Sequence, residues 1–178
     1  MVKTKKCQYC GKVKHDFAKK WGTNVGIGQT LRKNIIAKIE EHIWYTGLNS
    51  VAAHHLICTD AMEDDDWSDY CTKFGYDINH KNNGVMLPME MALACQLYVA
   101  LHRSNHAKGK AEGESYPKRI KNDLKKIAKD VKTGKYCDNP RALIDELDDY
   151  SEFVLGQIDK FNWTITADGQ DYKPGNCG

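Results

Sequence analysis

Two histidines in succession, His54 and His55, interrupt a short and otherwise mostly apolar run at residues 51–58 of this 178-residue chain, and they constrain its fold more tightly than any other feature. An imidazole is costly to bury without partners, so two consecutive rings in such a run must meet a cation, polar groups or solvent at a defined place. The run has the length and content of a strand entering a functional site. Successive strand residues point to opposite faces, so both rings serve one site only near a strand end or a bulge. The competing explanation is a pair of core histidines hydrogen-bonded to backbone, which is weakened by a second histidine pair further along.

That second pair is His102 and His106, four residues apart at the end of an apolar stretch beginning at Met89. On a helix this spacing brings both imidazoles to one face, where they can bind a single cation. A zinc peptidase is excluded by its own chemistry, which needs a glutamate directly after the first histidine, where Arg103 stands. Two solvated histidines at a helix C-terminus, favoured there by the macrodipole, explain the pair alone equally well.

Around these pairs the chain reads as alternating short elements. Leu31, Ile35, Ile39 and Ile43 recur every four residues and predict an amphipathic helix ending near Gly47. Residues 59–77 are acidic with few apolar anchors and predict a loop with a short helix. Asn82-Asn83-Gly84 is a turn signal, Val85-Met86-Leu87 a short strand, and Pro88 the entry to a helix running from Met89 to His106. After loop glycines 109 and 113, Ile120, Leu124, Ile127, Ala128 and Val131 form one face of a helix whose other face is lysine-rich. Asn139-Pro140 suits an N-cap and first turn, and Leu143, Leu147, Tyr150, Val154, Ile158 and Phe161 trace a last helix that packs against the previous one. Weak alternation at Trp163-Thr164-Ile165-Thr166 before Asp168-Gly169 suggests a terminal hairpin.

Length suits one domain, residues 1–178, with an N-terminal extension at 1–30, a core at roughly 51–127 and a helical cap at 138–178. No segment approaches the ~18 to 20 apolar residues of a membrane span, and the polar N-terminus lacks the apolar region of a signal peptide, so export would use another route. Net charge is only +2, but residues 118–135 carry a local +6 and residues 138–159 a local −6. A basic helix suits a polyanion, although such a run also serves as an ordinary solvated face. Seven cysteines are an odd set that favours thiols and a reducing compartment over a complete disulfide framework. Cys7 and Cys10 resemble half a zinc knuckle; completion by His15, Cys137 or Cys177 depends on the fold, and with the second CxxC missing the balance favours ordinary thiols.

Taken in order, Ala53-His54-His55, Asp77-Ile78-Asn79, Asn83-Gly84-Val85-Met86-Leu87-Pro88, His102-Arg103-Ser104-Asn105-His106 and Tyr116 resemble the AHH nucleases of the HNH/endonuclease VII superfamily. The resemblance covers roughly residues 51–127; departures are the acidic insertion at 63–69 and the loop at 107–115. It implies an α+β, predominantly helical fold with an HNH-like ββα-metal core surrounded by helices. It further implies that His54, His102 and His106 hold one divalent cation (Mg²⁺, Mn²⁺, Ni²⁺ or Zn²⁺), that His55 is the general base, and that Asn83 orients His55 or braces the loop. Asn83 also suits an Asn-Gly turn with no further role. Tyr116 would be an accessory residue, while Arg103, Lys118 and Arg119 would contact a DNA backbone. Domains of this kind commonly form the toxic C-terminal module of a secreted bacterial effector that acts in a recipient cell and is held in check by an immunity protein. Two other readings share the residues: an RNase on the same scaffold, and a noncatalytic metal-stabilised nucleic-acid-binding module.

Overall fold

The structure, a computed structural model, describes residues 6–12, 21–63, 66–103 and 106–167. Its centre is an antiparallel pair, β1 (Val51–His55) and β2 (Gly84–Pro88), in a register that sets His54 opposite Val85 and His55 opposite Gly84. Helix α1 (Gly28–Ile35) lies across this hairpin. Contact is close because Gly84 has no side chain: a Cβ there would come within 2.5 Å of Leu31 Cδ1. Leu31 is fully buried as a result.

The fourfold apolar recurrence predicted a longer helix than forms. At Ile36 the chain becomes extended (φ −144°, ψ 131°), and only a 3-10 turn at Ile39–Glu41 follows. Once α1 has passed the hairpin there is no surface left to cover, and Ile43 is 89% exposed. Periodicity continues beyond the surface that could reward it.

Between the two strands, the acidic segment folds as a 3-10 turn at Thr59–Met62 and helix α2 (Trp67–Phe74), which buries Trp67, Tyr70, Cys71 and Phe74. These aromatics anchor the main core, together with the apolar faces of α4 (Tyr116–Lys132) and α5 (Arg141–Asp159). In α4 the buried residues Ile120, Leu124, Ile127, Ala128 and Val131 recur at helical spacing, leaving the lysines outside. In α5 the stripe runs through Leu143, Leu147, Ser151, Val154 and Ile158, with Ser151 in place of Tyr150, while Phe161 lies past the helix end at φ +55°. Asn139 does not cap α5; the helix begins after Pro140 without a side-chain cap. A small hairpin of β3 (Lys110–Ala111) and β4 (Glu114–Ser115) leads into α4, and Thr164 pairs with Lys110 at its edge. Of the 163–166 stretch, Thr164 alone joins this hairpin, by an isolated bridge; Asp168-Gly169 lies outside the described residues.

The most consequential departure follows β2. Helix α3 is short, Met91–Leu97, and ends where Tyr98 adopts the left-handed conformation at φ +57°. Beyond it the His102 amide donates to the Pro88 carbonyl at 2.8 Å, which draws the chain back alongside the end of β2. An apolar run without a clear polar face does not mark where a helix stops.

Five helices and two two-stranded sheets among the described residues make a helix-rich α+β chain. None of these helices is long and apolar enough to cross a membrane. Cys7, Cys10, Cys58, Cys71 and Cys137 stand as thiols, whereas Cys95 is disulfide-bonded.

Candidate metal centre

Strand β1 delivers His54 and His55 to opposite faces, as an alternating backbone must. His54, 1% exposed, points inward beneath α4; His55 is the last residue of the strand. Because the strand ends there, His55 lines a cavity of about 240 Å³ together with Ala53, Cys58, Thr59, Asp60, His102 and His106. His54 does not line this cavity and meets it only through its ring contacts with His102 and His106.

His54, His102 and His106 form a nearly equilateral triangle of rings, with centroids 5.0, 4.8 and 4.9 Å apart. One nitrogen of each lies within 4.8 Å of the others. The grouping does not arise from one helical face, since His102 lies in the extended stretch after α3 and His106 opens a 3-10 turn, His106–Lys108. Backbone pairing with β2 substitutes for the helical spacing.

Hydrogen bonding fixes which nitrogens are bare. Tyr116 Oη has a single proton and donates it to the Leu56 carbonyl at 2.7 Å. It therefore accepts from His54 Nε2 at 3.1 Å, which places the proton on Nε2 and leaves Nδ1 as a lone pair. His106 Nδ1 lies 3.1 Å from the Ile165 carbonyl, an acceptor only, so its Nε2 carries the lone pair. His102 has no hydrogen-bond partner on either nitrogen, and His54 Nδ1 has none. Buried imidazole nitrogens without partners cost roughly 1 to 3 kcal/mol each, and here three occur in one cluster. An imidazole whose other ring nitrogen donates to a fixed oxygen is the usual arrangement of a metal-ligating histidine.

Electrostatics point the same way. Burial first, and then the neighbouring histidines, hold His54 far below the ordinary histidine range and lower His102 to about 4. Burial also lowers His55, against an opposing contribution from its Asn79 hydrogen bond. These three rings are neutral at pH 7, the form that binds a cation or takes up a proton. Burial pushes the Cys58 thiol up to about 12, which leaves no thiolate nucleophile in the cavity.

The partner of His55 is Asn79, with Oδ1 3.0 Å from His55 Nε2. Asn79 is held rigidly: its Nδ2 donates to the Val25 carbonyl and to Asp77 Oδ1, and its Oδ1 also accepts from the Ile27 amide at 2.6 Å. These contacts fix the amide's orientation, so His55 carries its proton on Nε2 and its lone pair on Nδ1. Gly26 closes over the ring, since a Cβ there would sit 3.3 Å from His55 Nε2 and 2.5 Å from Thr59 Oγ1.

Asn83 does not touch His55, and the expectation that it orients the ring is corrected. Its Nδ2 donates to the Ile57 and Ile78 carbonyls, while its Oδ1 accepts from the Ile57 amide and lies 3.0 Å from Ser151 Oγ. All its capacity goes to bracing the backbone after β1. The orienting residue had been visible only as the last member of Asp77-Ile78-Asn79, without a role. Asp60, the acidic side chain in the cavity lining, carried no signal in the sequence.

Of the basic residues, Arg103 is exposed beside His102. Lys118 is exposed and paired with Glu114 at 3.0 Å. Arg119 is bound to Glu112 and Asp123 and lines a different cleft, between α4 and α5, so the fold does not bring it to the histidines. Cys10 and Cys7 lie near Cys137, away from this centre; His15 and Cys177 are outside the described residues.

A family model described as a nuclease family of the HNH/ENDO VII superfamily with conserved AHH matches residues 45–162. No curated protein and no solved structure matches the chain significantly. The matched region contains the Ala53-His54-His55 triplet, both further histidines and Tyr116. Most of the chain is covered, and it belongs to the AHH nuclease family of the HNH/ENDO VII superfamily.

Proposed function

We propose that the protein is a metal-dependent endonuclease that hydrolyses DNA phosphodiester bonds, with β1, β2 and α3 as an HNH-like ββα core. The observation that carries this reading is the convergence of unsatisfied imidazole nitrogens of His54 and His102 beside the bare Nε2 of His106, with His102 and His106 lining a cavity together with His55. His54 Nδ1, His106 Nε2 and one nitrogen of His102 would hold a divalent cation. Such an ion stabilises charge on a phosphate oxygen and on the leaving oxygen.

The remaining work falls to the chain. His55 Nδ1 takes the proton from an attacking water, its ring held by the Asn79 hydrogen bond and kept neutral by burial. Tyr116 acts on His54 as a positioning residue, through the tautomer it imposes. Arg103, exposed and next to His102 in the chain, meets the phosphate backbone.

The same reading extends to biological role. A toxic C-terminal module of a secreted effector, acting in the cytoplasm of a recipient cell and neutralised by an immunity protein, is supported by the resemblance of this histidine set to domains of that kind. An acidic inhibitor covering the α4 lysines or the histidine cavity suits the charge distribution.

The test is plasmid cleavage by the purified protein with Mg²⁺, Mn²⁺, Ni²⁺ or Zn²⁺, with EDTA and His55→Ala as controls and structured RNA digested in parallel. Metal-dependent nicking that His55→Ala abolishes is expected. Full activity in the variant overturns the base assignment, and cleavage of RNA alone overturns the choice of DNA.

A further inference from the structure

A second cluster of metal-ligating side chains lies outside the histidine centre. Cys7, Cys10 and Cys137 place their sulfurs within 4.8 Å of one another, and Cys7 Sγ lies 3.8 Å from Cys137 Sγ. Tetrahedral zinc with Zn–S bonds of about 2.3 Å separates its sulfurs by about 3.8 Å. The first two thiols come from a tight turn. Gly11 donates its amide to the Cys7 carbonyl at 2.9 Å and, at φ +72°, reverses the chain, so that the Cys7 amide meets the Lys12 carbonyl at 2.8 Å.

This turn aims backbone donors at sulfur. The Tyr9 amide lies 3.4 Å from Cys7 Sγ, and the Lys12 amide 3.5 Å from Cys10 Sγ. Amide donors of this kind orient a sulfur and share its charge when it ligates a metal. The third thiol is brought in by the turn after α4. Gly134, at φ +79°, packs against Cys10 so closely that a Cβ there would sit 2.7 Å from Cys10 Cβ. Contacts on either side hold the turn in place: Tyr9 packs on Tyr70 and Phe74 and hydrogen-bonds Asp69, and Lys12 pairs with Asp138 at 2.7 Å.

We propose that Cys7, Cys10 and Cys137 form a structural zinc site that fastens the N-terminal turn to the corner between α4 and α5. Three thiolates select a soft or borderline cation over Mg²⁺ or Ca²⁺, which take oxygen ligands, and leave one position of the tetrahedron for a further donor such as water. Cys7 and Cys10 precede the residues matched by the nuclease family, so the site joins an N-terminal element to the family domain. It is independent of the nuclease reading.

The experiment uses the full chain, reduced, stripped of metal and titrated with Co²⁺. A sulfur-to-cobalt charge-transfer band in the near ultraviolet reports thiolate ligation alone, so the histidine cluster does not contribute. The band should saturate by two equivalents, since the histidine centre also takes up Co²⁺, disappear on adding Zn²⁺ and be lost or sharply weakened in Cys137→Ser. In the unmodified protein, Zn²⁺ should slow iodoacetamide labelling of Cys7, Cys10 and Cys137 roughly tenfold, with EDTA restoring the rate. Absence of the band, its full retention in Cys137→Ser, or labelling unaffected by Zn²⁺ overturns the site.

Discussion

Tyr116 Oη accepts the His54 Nε2 proton at 3.1 Å while giving its own to the Leu56 carbonyl. One phenol, fully buried at the start of α4, thereby decides which nitrogen of a histidine 62 residues away is left bare. Tyr116→Phe removes that control. Divalent-cation affinity should fall roughly 10- to 100-fold, measured by isothermal titration, with the unpartnered Leu56 carbonyl costing about 1 to 3 kcal/mol of stability. Unchanged affinity in a folded variant contradicts the tautomer argument.

Asn79 and Asn83 are four residues apart, but their losses should differ in kind. Asn79→Ala gives up bonds to Val25, Ile27 and Asp77 as well as freeing the His55 ring, so in the folded variant kcat should drop by about two orders of magnitude while cation affinity holds. Asn83→Ala removes a brace with four polar contacts and should lower the unfolding free energy by about 3 kcal/mol in urea denaturation. If folded Asn83→Ala loses kcat as far as folded Asn79→Ala does, the division of labour is wrong.

Both ring nitrogens of His102 are buried and unsatisfied, an arrangement that burdens the metal-free protein. His102→Leu should make that form more stable by about 1 kcal/mol in thermal denaturation, and should remove the gain in melting temperature that a divalent cation gives the unmodified protein. A destabilised metal-free variant would mean that the ring is held by interactions other than the cation.

Acid should unfold the metal-free protein early. Burial lowers His102 to about 4 and His54 well below histidine's ordinary 6.5. Between pH 6.5 and 4 the unfolded chain binds protons that the folded chain refuses, so the contribution of these rings is complete above 6.5 and declines as pH falls towards 4. The urea midpoint of EDTA-treated protein should fall across that window. A midpoint flat from pH 7 to 4 contradicts the burial argument.

The chemistry of this chain was more legible than its geometry. His54, His102 and His106 stand out because imidazoles in apolar surroundings need a reason, and the fold gathers them. The reason offered for His102 and His106, a shared helical face, failed because Tyr98 ends α3 early and the Pro88 carbonyl captures the His102 amide. Long-range backbone pairing of that sort leaves no local mark in a sequence. Asn79 carries no role in the sequence beyond its place in Asp77-Ile78-Asn79 for a related cause: its significance comes from Val25, Ile27 and His55, three residues that only the folded chain places around one amide. Helices α4 and α5 were readable because their stripes are long and each buried position repeats the signal.

The carbonyl that fixes the His106 ring belongs to Ile165, 59 residues further along. A ribosome that has delivered all the histidines of the cluster has therefore not yet delivered the group that sets the last one's proton. During synthesis the half-made chain carries the ligands without their final arrangement, and the centre matures only as the segment after α5 folds back onto β3.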